Sequence, residues 1–420
     1  MCMRKCGLTL LLALAALPAA AQRVHSAWMQ FTPDGGVEAR AVVAGETCPR
    51  LRIDGASRPM AVRAPRDGDF PTVCAAPVPR GARALSLDGR PLPLPRAHPR
   101  RILVIGDTGC RIKSGAIQAC NDPEAWPFPR LAREEARQKP DLVIDVGDYL
   151  YRESPCPQGF AGCAGTPYGD NWPTWRADFF APAAPLLAAA PWVIVRGNHE
   201  DCTRAGRGWL RMLGPLAFDA RADCIAHLAP YTVRVDKLRL VVMDDANAPD
   251  IRTAADMVPV YRAEFAGLAA TPAPAWLLMH RPIWGAVAGP LDLPIGGNRT
   301  LIDAVGDAGI PRPVELMLSG HIHSFEVMNY SAKNRVPPQI VGGFGGDKLD
   351  RTPRTLTGAI FQGGSGVAVK DGMSLPGFGF LMMRKTANGW NIDVHDVRGR
   401  IERRCRFQAG RVGCAARGAP

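Results

Sequence analysis

A chain of 420 residues with 47% apolar and 21% charged residues has the composition of a folded protein, which excludes a disordered or fibrous one. The length suits a large domain with a smaller companion better than a single ordinary core. The formal net charge of +12 comes mostly from arginines spread along the chain without a dense basic run, so it argues against a nucleic-acid-binding tract and for a solvated, positive surface.

Residues 1–21 read as an export signal. Arg4 and Lys5 give a positive start, Gly7 to Leu17 is largely apolar, and Ala19-Ala20-Ala21 offers a small-residue cleavage site before Gln22. The apolar run is shorter than the roughly 20 residues that span a bilayer, so a soluble periplasmic or secreted protein is expected, with no membrane attachment after cleavage. Loss of Cys2 and Cys6 leaves ten of the twelve cysteines, an even number in a compartment where disulfides persist. Pairing neighbours along the chain would join Cys48 to Cys74, Cys110 to Cys120, Cys156 to Cys163, Cys202 to Cys224 and Cys405 to Cys414. Sequence leaves the other connectivities open. Without a C-x-x-C pair, a thiolate zinc site is the weaker reading.

Residues 22–98 mix short apolar stretches such as Ala41-Val42-Val43-Ala44 with many turn formers and suggest a small β-rich N-terminal domain. It ends in the run Arg90-Pro91-Leu92-Pro93-Leu94-Pro95, which reads as a stiff linker. From 99 to 400 the pattern changes. Ile102–Ile105, Leu142–Val146, Trp192–Val195, Leu240–Met243, Trp276–Met279 and Glu315–Leu318 are short apolar runs, as expected of strands buried on both faces. A helix is expected over Arg130–Gln138, and another over Ala254–Ala269 broken by Pro259. Strands alternating with helices imply an α/β fold. Residues 401–420 are left as a C-terminal tail that Cys405 and Cys414 would staple.

Polar clusters follow the ends of these strands, where open α/β folds gather their ligand-binding groups. They are Gly106-Asp107-Thr108-Gly109, Gly147-Asp148-Tyr149-Leu150-Tyr151, Gly197-Asn198-His199-Glu200, His280, and Gly320-His321-Ile322-His323. Carboxylate, phenolate, amide oxygen and imidazole form a mixed hard and borderline ligand set for iron, manganese or zinc.

In this order, the five blocks resemble those of the calcineurin-like metallophosphoesterase superfamily. The first block reads Asp107-Thr108-Gly109 where most members have D-x-H, and Tyr151 follows Asp148 by three residues. That combination is similar to the purple acid phosphatases, in which the tyrosine ligates a ferric ion. The resemblance implies a sandwich of mixed β-sheets flanked by helices. It implies two metal ions, with Asp107, Asp148, Tyr151 and His323 on an Fe(III) and Asp148, Asn198, His280 and His321 on an Fe(II), Zn or Mn. It also implies hydrolysis of phosphate monoesters by a metal-bound hydroxide, with His199 contacting the phosphate or protonating the leaving group.

Taken singly, each of these residues has an ordinary structural role: an Asp or Asn after glycine is a turn former or helix cap, and Tyr151 is core packing. Glu200 and Asp201 orient His199 or are merely solvated acids, and Arg281 pairs with substrate or with a neighbouring acid. Gly342-Gly343-Phe344-Gly345-Gly346-Asp347 lacks the ending of a P-loop and reads as a tight loop beside the site. A small phosphorylated substrate is the expected partner, with no nucleic acid and no protein partner implied. A phosphodiesterase or nucleotide hydrolase of the same superfamily, and a non-catalytic metal- or phosphate-binding protein, are the alternatives.

Overall fold

The computed structural model describes residues 23–415 apart from 114, 332–334 and 362–365; the export signal expected over 1–21 lies outside the described residues. The apolar runs are strands: Arg101–Ile105, Leu142–Asp145, Trp192–Ile194, Leu238–Val242, Ala275–Leu278 and Val314–Ser319. Side chains alternate across them, which sets the layers. Ile102, Val104 and Ile144 enter a core shared with Leu240, Trp276, Leu316 and Leu318. Leu103, Ile105 and Val143 enter another, shared with Phe128 and Leu131 of the helix Phe128–Arg137. Leu277 and Met317 enter a third, with Tyr261 and Phe265 of the helix Val258–Gly267 and Leu301 and Ile302 of the helix Arg299–Val305. Two sheets therefore pack face to face with helices on their outer faces, a mixed α/β sandwich.

Among the described residues the sheets have eleven and seven strands. In the first, Leu142–Asp145 lies parallel to both Arg101–Ile105 and Trp192–Ile194. In the second, Leu238–Val242, Ala275–Leu278, Val314–Ser319 and Gln339–Gly342 run parallel in that order. Strands that run the same way deliver the loops after them to one rim, where ligands bind in such folds.

Four local expectations are corrected. The N-terminal region is β-rich, but Val24–Phe31 pairs in parallel with Trp192–Ile194, so the eleven-stranded sheet crosses the boundary expected near residue 98. Part of the proline run is itself a strand, Arg90–Pro91, at the edge of a four-stranded sheet where a missing N–H is tolerated. Residues 401–414 are not a tail: Ile401–Gln408 and Arg411–Cys414 close the far edge of the large sheet, with Cys405 and Phe407 buried and Arg404 and Arg406 exposed. Pro259 starts the helix Val258–Gly267 instead of breaking it, since its fixed φ suits the first turn.

Five disulfides join the sequential cysteine pairs, Cys48–Cys74, Cys110–Cys120, Cys156–Cys163, Cys202–Cys224 and Cys405–Cys414. No helix among the described residues is long and apolar enough to cross a membrane.

Candidate metal centre

Asp107, Asp148 with Tyr151, and Asn198 follow three neighbouring strands of the first sheet; His280, and His321 with His323, follow two of the second. Their loops are held in unusual conformations. Asp107, Asp148 and His321 have left-handed backbones, with φ of 56°, 63° and 70°. Such residues cost about 1–2 kcal/mol each and persist only where surrounding structure demands them. The preceding glycines are equally constrained. A β-carbon on Gly197 would lie 2.0 Å from Asp148 Oδ1, and one on Gly320 would lie 2.5 Å from Asp107 Oδ2.

The seven side chains converge in two adjoining groups. Tyr151 Oη lies 2.9 Å from Asp107 Oδ1, 2.7 Å from Asp148 Oδ2 and 3.0 Å from His323 Nε2. Asp148 Oδ2 also lies 3.1 Å from His280 Nε2, so this carboxylate belongs to both groups. Ligand atoms of Asp148, His280 and His321 all fall within 4.8 Å of one another. Asn198 Oδ1 is 3.1 Å from His280 Nε2.

Outer contacts determine which ring nitrogens face inward. His280 Nδ1 is 2.8 Å from the Val146 carbonyl, and His323 Nδ1 is 2.8 Å from the Lys348 carbonyl. A carbonyl only accepts, so both Nδ1 atoms carry hydrogen and both Nε2 atoms face the cluster. The third ring is reversed: His321 Nε2 lies 2.8 Å from Asp250 Oδ2, leaving Nδ1 on the inner side. Rings fixed from behind in this way are characteristic of metal ligands.

Donor chemistry fits metal ions. The Asn198 oxygen faces acceptor atoms, whereas the amide turned over would donate to His321 Nδ1 at 2.8 Å and His280 Nε2 at 3.1 Å. An inward oxygen is the arrangement a cation favours. Burial disfavours charge on His280 and His323, but Asp148 beside the first and Asp347 and Asp107 beside the second hold both pKa values up at about 10. The negative surroundings that retain a proton would equally attract a metal cation. Tyr151 shows the same dependence: burial first, then Asp107 and Asp148, push its phenol well above the usual range, and only a nearby cation would favour the phenolate.

His199 sits over Tyr151, ring centres 3.9 Å apart. Its Nε2 is 3.9 Å from Asp148 Oδ2, and its Nδ1 is 2.5 Å from Glu153 Oε1. That last contact is close but too bent for a well-formed hydrogen bond. Burial would raise Glu153, yet His199 and then Arg204 more than offset it and hold the carboxyl below its ordinary pKa.

Several neighbours differ from the sequence expectation or escape it. Glu200 neither is solvated nor touches His199 through its side chain; fully buried, it accepts from the backbone N–H groups of Asp148, Tyr149, Leu150 and Gly197 and ties two ligand loops together. Asp201 accepts from the Thr203 backbone and is a local turn acid. Arg281 pairs with Asp250, so it supports His321 from outside. Arg111, paired with Asp347, lies 4.9 Å over the Tyr151 ring. The glycine-rich loop packs on the first block, Gly345 N donating to the Gly106 carbonyl at 3.0 Å and Asp347 N to the Asp107 carbonyl at 2.9 Å. Glu153, Asp250 and Arg111 are solitary charged residues outside any motif, and only the fold brings them to the site.

A family model described as calcineurin-like phosphoesterase matches residues 100–325, the span that carries all five blocks. Among solved structures, the purple acid phosphatase PPD1 from yellow lupin (Lupinus luteus) seeds aligns at 14% identity with a TM-score of 0.56, covering 90% of this chain and 73% of that one. PhoD aligns at 11% identity, again with a TM-score of 0.56, covering 96% of this chain and 94% of that one. At these identities the likeness is one of fold. A search of curated protein sequences finds no match.

Proposed function

Since this chain belongs to the calcineurin-like phosphoesterase family and is a metal-dependent hydrolase of small phosphorylated substrates, we propose that it cleaves phosphate monoesters at the centre described above. In this reading Asp107, Asp148, Tyr151 and His323 hold one ion, Asp148, Asn198, His280 and His321 hold the other, and Asp148 is shared. The observation that carries it is the orientation of the three imidazoles, each held from behind so that its other nitrogen faces the cluster, His280 and His321 beside Asp148 and His323 beside Asp107. Bound ions would supply charge neutralisation at the phosphoryl oxygens and a lowered pKa for an attacking water.

The chain's own contribution is positioning and one proton. His199 backs onto Glu153 at Nδ1 and turns Nε2 toward the centre. A proton held at Nε2 is placed to pass to the departing alcohol oxygen, with Glu153 set behind the ring at Nδ1. Glu200, by clamping the backbone at Asp148 and Gly197, keeps His199 in register with the ligands.

The phenol of Tyr151 supports Fe(III) at its position, with Fe(II), Zn or Mn at the second. Five disulfides and the signal-like residues 1–21 support an exported, periplasmic or secreted protein, with residues 99–400 carrying the chemistry.

Turnover of 4-nitrophenyl phosphate against bis(4-nitrophenyl) phosphate tests the reading. A preference for the monoester is expected, and with an alkyl phosphate, whose alkoxide needs a proton to leave, kcat should fall by about 10²–10⁴ in His199→Ala while bound metal is unchanged. Preference for the diester would overturn the monoester assignment, and undiminished turnover of the alkyl phosphate would remove His199 from the reaction. A visible absorption band lost in Tyr151→Phe is expected of an iron-phenolate centre.

A further inference from the structure

A cavity of about 430 Å³ opens beside His321 and is not used by the chemistry above. Its carboxylates already have partners. Asp250 is held by His321, Arg281 and Asn298, and Asp350 Oδ2 accepts the His323 backbone N–H at 2.9 Å. Apart from the exposed Arg299 and three glycines, the rest of the wall is aliphatic: Ile251, Pro282, Val287, Ile295 and Ile322. Val287 and Ile295 come from the hairpin formed by Ala286–Ala288 and Pro294–Gly296. Gly285 keeps the space open, since a β-carbon there would lie 2.5 Å from Ile322 Cδ1.

Folding alone does not account for this wall. Ile251 is 91% exposed and Ile295 51%, and Leu291 on the hairpin turn is 90% exposed. Large aliphatic side chains left in water around the mouth of a cavity mark a binding surface, and the volume lies in the range of about 300–1,000 Å³ that takes a small organic group. The cavity meets the centre at His321, one of the residues that would hold an ion against the phosphoryl group. A substrate seated there has its phosphate at the metals and its alcohol portion within reach of the aliphatic wall.

We propose that this cavity is the specificity pocket for the apolar alcohol portion of the substrate, so that the protein selects aryl or branched-alkyl phosphoesters over phosphorylated polyols. The proposal rests on the phosphoesterase reading of the adjacent centre. Ile251 and Ile295 are its specificity-determining residues: burying either against a ligand stabilises only ligands with apolar surface to match.

Binding of two non-hydrolysable phosphonates to the metal-loaded protein, followed by calorimetry, separates this proposal from catalysis. 1-Naphthylphosphonate should bind at least about tenfold more tightly than methylphosphonate. Ile295→Asp and, independently, Ile251→Asp should each remove most of that preference and leave methylphosphonate affinity unchanged. Both positions are exposed enough for the variants to fold, which thermal melting would verify. Equal affinities in the parent, or a preference retained in both variants, overturns the pocket. If turnover of 4-nitrophenyl phosphate is intact in that case, the phosphoesterase reading stands and only the pocket falls; if neither phosphonate binds and no ester is turned over, both fall.

Discussion

Asp250 Oδ2 stands 2.8 Å from His321 Nε2 and thereby decides which nitrogen of that ring faces the metal centre. Burial opposes ionisation of Asp250, but His321 and then Arg281 hold its pKa far below the ordinary carboxylate value, so the contact is charge-assisted. Asp250→Asn keeps the shape and removes the charge. The affinity for the more weakly held ion should fall about 10–100-fold, read by competition with a chelator of known affinity. An unchanged affinity would make the contact incidental.

The contact between Glu153 and His199 makes a prediction about the leaving group. If Glu153 positions the ring for proton delivery, Glu153→Gln should lower kcat about tenfold or more for an alkyl phosphate, whose alkoxide needs the proton. It should lower kcat much less for 4-nitrophenyl phosphate, whose phenolate leaves without one. A uniform loss across a series of leaving groups would instead mean that Glu153 only holds the loop in place.

Glu326 sets a stability prediction with a definite sign. Buried completely, with Oε2 accepting from Ala286 N at 3.2 Å and Oε1 without a partner, its pKa is pushed up to about 8, chiefly by burial. The unfolded chain loses this proton near 4.5 while the folded chain keeps it. Folding stability from this residue is therefore largest at low pH and declines as pH rises from about 4.5 through about 8. Glu326→Gln removes that decline. In urea unfolding the variant should gain on the parent between pH 5 and pH 8.5, by several kcal/mol at most, since a tenfold change in proton affinity is about 1.4 kcal/mol. A constant difference across that range would show that Glu326 does not change protonation on unfolding.

Cys202–Cys224 closes a loop of 22 residues directly after the Asn198-His199 block. Removing it as a Ser pair should cost about 3 kcal/mol by the chain-entropy relation, measured by urea unfolding. The Arg196 guanidinium lies 3.7 Å and 3.6 Å from the two sulfurs and also pairs with Asp244, so the loop keeps a second tether. A loss below 1 kcal/mol would show that this tether suffices.

Much of the centre was legible in the sequence because its parts are local. Strands buried on both faces are unbroken apolar runs, and a candidate ligand at a strand end sits beside the glycine that lets its loop turn, as in Gly147-Asp148 and Gly320-His321. What was not legible depends on distance along the chain. Glu153 reaches His199 across 46 positions and Asp250 reaches His321 across 71, with no local pattern to mark either. Sheet membership of Val24–Phe31 was missed for the same reason: it carries an ordinary strand pattern, and only its pairing with the distant Trp192–Ile194 shows that it belongs to the large sheet. For Glu200 two roles stayed open, because the backbone groups that it satisfies at Asp148, Tyr149 and Leu150 lie 50 to 52 positions away.

Metal content per chain, determined by elemental analysis on protein purified without chelators, is the most direct test of the central claim. About two ions per chain are expected in the parent and in Glu153→Gln, and about one or fewer in His280→Ala, with phosphomonoesterase activity falling in step with occupancy. A parent that binds no metal yet hydrolyses phosphate monoesters, or a His280→Ala variant that keeps both ions and full activity, would contradict the two-metal account.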